Sequence, residues 1–552
     1  MTASNLFKRS TLLLCIGLAF GLSACGGGDS TANHAAAPAA GELSAEQSIV
    51  INNGAEPESL DPHKVSGVPE SNLLRQLLVG LTSTDNDGNT MPGMAESWEN
   101  KDFTVWTFKL RDAKWSNGEP VTAEDFAYSM RRVVDPKTAS PYASYLADAK
   151  MLNAQDILDG KKPADSLGVK VIDPKTLEIT LSEPVPYFPD MLIHTSTKPV
   201  HKATVEKLGD KWTAPGNFIS NGPYTLKSWT VNDKIVLERN PAYYDNAHTT
   251  INQVTLLAIP SPVTDLQRYK AGEIDVTYND LPTEQFASIK SSMGSELHIN
   301  PYLCTYYYEF NTAKAPFDNV LVRKALQLAL DRETLAEKVV GRGETPAYQY
   351  VPPATQGMKN FTPEWQAWSK EQRIAEAKKL LESAGYSAAK PLSFELLYNT
   401  NENHKKNAVA AAALWKEALG FVNVNLVNQE WKTYLDTRRN GRYQAARAGW
   451  CSDFNEPASF LNILKSDNSS NYGKYSSADY DALLAKTVVP GTSAEQRADL
   501  YSQAEAVLDR DAPDIFVYHY VSPRLVKPYV AGYSNKDPQD NYQVKYWSVL
   551  KH

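Results

Sequence analysis

Apolar and polar residues alternate over Phe103-Thr-Val-Trp-Thr-Phe-Lys-Leu110, the two-residue period of a strand with one face buried. Gln47 to Asn53 reads as a shorter strand. Tyr224 to Trp229 and Lys234 to Arg239 flank Asn232-Asp233, a residue pair suited to a hairpin turn. Elsewhere the period lengthens to that of a helix. Ser369 with Gln372 forms a capping box, Ile374, Ala377, Leu381 and Ala384 then share one face, and Gly385 supplies a stop. Val320 to Val340 predicts two helices divided near Asp331. Lys405 to Gly420 predicts another, leading into a strand that alternates through Val422, Val424 and Leu426. Strands and helices interleave along the chain, so the expected fold class is mixed α/β.

A chain of 552 residues exceeds what one core holds, and two or three domains are expected. The formal net charge of −8 becomes more negative without the first 24 residues, which carry Lys8 and Arg9 and no acid. An acidic chain lacks the electrostatic footprint of a nucleic-acid binder. The N-terminus is a distinct signal. Lys8 and Arg9 precede an apolar run, Thr11 to Gly21, that is too short to span a bilayer and ends in Leu22-Ser23-Ala24-Cys25. This pattern is that of a bacterial signal peptide (residues 1–24) whose Cys25 receives lipid. The plainer alternative is an ordinary signal peptide with Cys25 incidental. Gly26-Gly27-Gly28 and a polar Ala/Pro stretch follow, so residues 25–43 are expected to form a flexible tether. Cys15 falls in the signal, which leaves Cys304 and Cys451 as an even pair in an oxidising setting, a disulfide or else two buried free thiols.

Catalytic motifs are missing. The nine histidines form no His-Glu-x-x-His pair or Cys/His cluster, and neither a nucleophile elbow nor a phosphate loop occurs. No metal, cofactor or enzymatic activity is expected. What stands out is 29 Tyr and 11 Trp, side chains with an apolar face and a polar tip that suit varied organic ligands, though most such rings pack in cores. In Arg447-Ala-Gly-Trp-Cys-Ser-Asp453, a glycine and a cysteine would pin Asp453 on a rigid loop, and a fixed carboxylate is what grips an ammonium group. The alternative is a helix-capping or solvated acid.

Arg447 to Asn462 resembles the ligand-binding segment of the bacterial periplasmic oligopeptide-binding proteins, within the peptide/nickel-type solute-binding family 5. Leu60-Asp-Pro-His-Lys64, Lys114-Trp-Ser-Asn-Gly-Glu-Pro120, Ser140-Pro-Tyr-Ala-Ser-Tyr145, Pro184-Val-Pro-Tyr-Phe188 and Tyr302-Leu-Cys-Thr-Tyr-Tyr-Tyr308 are similar to that family too, and the likeness runs from Gln47 to His552. It implies a three-domain, bilobal binding protein of the large class II type. One lobe would combine 44–78, 201–303 and 522–552, with 79–200 as a satellite domain; 304–521 would form the other. Carried over by position, Asp453 would pair with a peptide's α-amino group, and Gly449, Cys451 and Val68 would offer main-chain groups to its backbone. Tyr142, Tyr278, Tyr307, Trp431 and Tyr520 would line the cleft. Arg447 and His404 match cationic residues that receive the α-carboxylate. The implied partners are short peptides and the membrane permease of an ABC importer; the protein is expected to be a monomer, lipid-anchored in the periplasm through Cys25. A murein tripeptide is the alternative ligand. Val340, Ser66 and Arg439 stand where well-known members carry a lysine, an acid and a histidine, with Arg342 near the first. These departures add positive character, which predicts less tolerance of lysine-rich peptides.

Overall fold

The computed structural model describes residues 41–552. The signal segment, Cys25 and nearly all of the expected tether lie outside the described residues.

Three larger sheets organise the chain. Ser48–Asn52 pairs in parallel with Gln253–Leu257, which continues antiparallel to Lys234–Arg239 and then Tyr224–Thr230. The hairpin turns at Asn232, whose φ of 59° is the left-handed conformation that asparagine tolerates. A second, antiparallel sheet has the order Ala95–Lys101, Val105–Leu110, Thr176–Thr180, Val169–Asp173. Its second strand starts two residues later than the alternation suggests, because Asp102 and Phe103 both take positive φ in a tight turn. The third sheet has six strands, ordered Thr345–Pro346, Asp514–Leu525, Leu297–Phe310, Ala445–Cys451, Leu392–Asn399 and Val422–Gln429.

The helices obey local rules. In Lys370–Ser383 the Ser369 hydroxyl accepts from Gln372 N at 3.2 Å and the Gln372 side chain accepts from Ser369 N at 2.8 Å. Gly385 then turns the chain at φ 87°. Glu402–Leu419 buries Ala411 and Trp415 against the six-stranded sheet, and the Trp415 indole donates to Leu326 O at 3.0 Å. The Val320–Val340 stretch does divide, into an α-helix at Val320–Ala329 and a π-helix at Thr334–Val340. Leu335, Ala336 and Val340 are buried in that second segment; apolar spacing alone does not separate one winding from the other.

The long strand Leu297–Phe310 sends successive side chains to opposite faces. Tyr307 packs with Tyr350 and Phe516 in one core, whereas Tyr306 and Tyr308 belong to the core that holds Trp415. Cys304 and Cys451 stand opposite each other in register and are joined by a disulfide. No helix among the described residues is long and apolar enough to cross a membrane.

Candidate functional site

The Ala445–Cys451 strand has one open edge. On one side it pairs with Cys304–Phe310 along its length; on the other, among the described residues, only Ala445 and Ala446 meet a partner, Leu396 and Leu397. Main-chain groups alternate in direction along a strand. Ser452 N donates to Leu303 O and Gln444 O accepts from Asn311 N, so the even positions face the inner strand. The N–H and C=O groups of Arg447, Gly449 and Cys451 therefore face the open edge, where the Tyr434 hydroxyl donates to Arg447 O.

That edge borders two cavities of about 470 and about 150 Å³ that share Val68, Tyr302, Trp431, Gly449 and Cys451 as a common wall. Tyr278, His404, Arg447 and Tyr520 line the larger cavity; Tyr142, Tyr307 and Asp453 line the smaller. All eleven residues singled out from the sequence thus line one or both of these adjoining cavities. Gly449 leaves it open, since a Cβ there would lie 3.3 Å from the Tyr520 hydroxyl and 3.4 Å from the Arg447 guanidinium.

The two ends carry opposite character. Tyr142 donates to Asp453 Oδ1 at 3.1 Å, and His194 Nε2 stands 3.3 Å from the same oxygen. Ser196 N donates to His194 Nδ1 at 3.2 Å, which leaves the ring proton on Nε2, facing Asp453. Burial, then Lys198 and Arg75, push His194 down to about 3, so the imidazole is neutral. Among the described residues Asp453 thus has no cationic partner. Burial raises its carboxyl well above the ordinary range, the Tyr142 hydrogen bond only partly offsets this, and Asp148 adds to it. An unoccupied Asp453 retains its proton where a free carboxylate would have lost it.

At the other end Arg447 donates to the Tyr520 hydroxyl at 2.7 Å and to Asn399 Oδ1 at 3.2 Å, and its guanidinium lies 5.1 Å from the Tyr306 ring centroid. Among the described residues no carboxylate pairs with it, and its Nε has no hydrogen-bond partner. Burial opposes its charge, but the oxygens of Tyr520, Tyr434, Tyr306 and Tyr518 outweigh this and keep it cationic.

His404 beside it differs from the expected cation. Burial first, then Arg447, hold its pKa well below the usual value, so it is neutral, and its Nδ1 is unpartnered. Arg342 is not available as a substitute for a missing lysine either: Asp280 and Glu344 both pair with it. Asp280 also accepts from Asn401 and Asn403 at 2.8 Å each. Val340 is buried in the core near this network and lines neither cavity. The positive character expected from Arg439 is cancelled, because Glu58 accepts from its guanidinium at 2.5 and 2.6 Å.

Sequence reasoning missed His194 and the Asp280–Arg342–Glu344 network. Neither has a local signature, and the contacts join positions up to 259 residues apart.

Residues 89–472 match the model of bacterial extracellular solute-binding proteins, family 5. The chain is 55% identical over 550 residues to the periplasmic oligopeptide-binding protein OppA of Salmonella typhimurium, covering 100% of both. The crystal structure of Haemophilus influenzae OppA in complex with RPPGFSPFR superposes with a TM-score of 0.91 at 50% identity, over 92% of this chain and 100% of that one. The Escherichia coli murein tripeptide binding protein MppA superposes with a TM-score of 0.91 at 42% identity, with the same coverage. Likeness over the whole chain, in sequence and in fold, shows that the chain belongs to the bacterial extracellular solute-binding proteins of family 5.

Proposed function

We propose that this chain is a periplasmic solute-binding protein that captures short oligopeptides and delivers them to the permease of an ABC importer, without catalysing any reaction on them. One observation carries the reading above all. The edge at Gly449 and Cys451 carries main-chain groups with no strand partner among the described residues, facing cavities that hold Asp453 towards one end and Arg447 towards the other, neither with a partner of opposite charge. An extended peptide adds to such an edge as a further strand, and main-chain pairing is blind to sequence.

Asp453 receives the α-ammonium group, exchanging its own proton for the ligand's charge. Arg447 receives the α-carboxylate, with the neutral His404 beside it as a further hydrogen-bonding group. At about 3.3 Å per residue, the six-residue path from Arg447 to Asp453 spans at most about 20 Å, which suits peptides of a few residues. Tyr142, Tyr278, Tyr307, Trp431 and Tyr520 provide apolar faces with polar tips, and water fills what a given side chain leaves empty. Residues 44–78 with 201–303 and 522–552 form one lobe, 304–521 the other, and 79–200 the satellite. Cys25 carries the lipid that tethers the protein to a membrane.

Mass spectrometry of ligand released from purified protein tests the reading. A mixture of short peptides supports it; protein that carries none and binds none by calorimetry refutes it. The likeness to MppA favours a murein tripeptide as second reading, and competition between that ligand and an ordinary tripeptide separates the two.

A further inference from the structure

The helix Trp431–Arg439 presents Trp431, Leu435 and Arg438 on one face, at the i, i+4, i+7 spacing. All three line the smaller cavity, together with Ser66 and Tyr472. One guanidinium, that of Arg438, lines this wall, the next residue in sequence supplies a second that does not, and each pairs with a carboxylate. Arg438 donates to Glu309 Oε2 at 3.0 Å, and both are buried. Arg439, directly behind the lining residues, places one nitrogen against both oxygens of Glu58. Glu58 comes from a distant segment and lines neither cavity, and its own N–H donates to Glu70 at 2.8 Å. Arg439 lies next in sequence to Arg438 and electrostatically close to Tyr472, both of which line the cavity, and the buried Glu70 acts on it in addition to Glu58. Across the space Arg75 is the remaining cation, with Asp537 and Asp540 near it.

We infer that Glu58 sets the charge specificity of the wall formed by Ser66, Trp431, Leu435, Arg438 and Tyr472: by neutralising Arg439 it keeps that wall uncharged, so the wall favours neutral aromatic or aliphatic side chains and itself offers acidic ones no ion-pair partner. The inference rests on the peptide-binding reading and deepens it. Glu58 and Arg439 act as a counterbalanced pair, neither touching the ligand. Removing either one exposes the charge of the other to whatever side chain occupies the subsite, and removing both restores neutrality.

The test is calorimetric titration of trialanine variants carrying Glu, Lys or Phe at each position in turn, against the full-length protein and Glu58→Gln, Arg439→Gln and the double variant. In the unaltered protein Glu and Lys peptides bind within about threefold of each other at the position concerned. Glu58→Gln raises the Glu-to-Lys affinity ratio there by about tenfold or more, Arg439→Gln lowers it by as much, and the double variant returns to the starting ratio. Single variants that keep the starting ratio at every position overturn the inference. Thermal melting reports folding, and should one single variant fail to fold, the other single and the double variant decide the question. If the unaltered protein binds no peptide, the failure belongs to the functional reading, not to the charge assignment.

Discussion

Asp453→Asn removes the negative charge that is to meet the peptide's ammonium group while keeping the size of the side chain and an oxygen for the Tyr142 hydroxyl at 3.1 Å. Removing one partner of a buried charge pair costs roughly 2–5 kcal/mol of binding. The lower part of that range applies here, because burial already raises the Asp453 carboxyl well above its ordinary range, and part of the attraction is consumed in displacing its proton. About 2–3 kcal/mol is expected, a weakening of roughly 30- to 150-fold. Isothermal titration with trialanine and its N-acetylated form measures this as a double-mutant cycle. Acetylation removes the ammonium group and should weaken binding strongly to the unaltered protein and only slightly to the variant. Affinities for trialanine within about threefold, with acetylation equally damaging to both proteins, would refute the assignment of Asp453 as anchor.

The other end behaves in parallel: Arg447→Gln should weaken trialanine binding by roughly 2–5 kcal/mol, with C-terminal amidation adding little further loss in the variant by calorimetry. Capture should release protons. The Asp453 carboxyl is raised when empty and lowered when it faces an ammonium group, so affinity should increase with pH across the window between those two values, and titrations in buffers of different ionisation enthalpy should reveal proton release there. The Cys304–Cys451 bridge closes a separation of 147 residues, for which the chain-entropy model gives about 5 kcal/mol; replacing both with alanine should lower the midpoint of chemical denaturation accordingly, read by circular dichroism. His194→Gln, which loses the imidazole packed tilted against Tyr142 with ring centroids 4.3 Å apart, should weaken trialanine binding by less than Asp453→Asn does and shift the pH window of proton release.

Local chemistry was legible in the sequence. The Ser369–Gln372 box, the Asn232 turn and the alternation at Val422 predict their elements because the forces involved act within four residues. That the residues singled out would line neighbouring cavities was legible through the family likeness of Arg447–Asn462 and its companion motifs. Its charge states were not. His404, Arg342 and Arg439 each read as a cation in one dimension; burial neutralises the first, and Asp280, Glu344 and Glu58 neutralise the others from distant segments. The start of the Val105–Leu110 strand was missed for a similar reason, since alternation does not report that Asp102 and Phe103 turn through positive φ.

If the proposed grip is made of main-chain atoms, a consequence for engineering follows. The N–H and C=O groups at Gly449 and Cys451 survive almost any point substitution, so Tyr278, Trp431, Leu435 or Tyr520 can be exchanged to retune selectivity without dismantling capture itself. Such a scaffold separates retention from preference, which is the starting condition for converting it into sensors for chosen peptides.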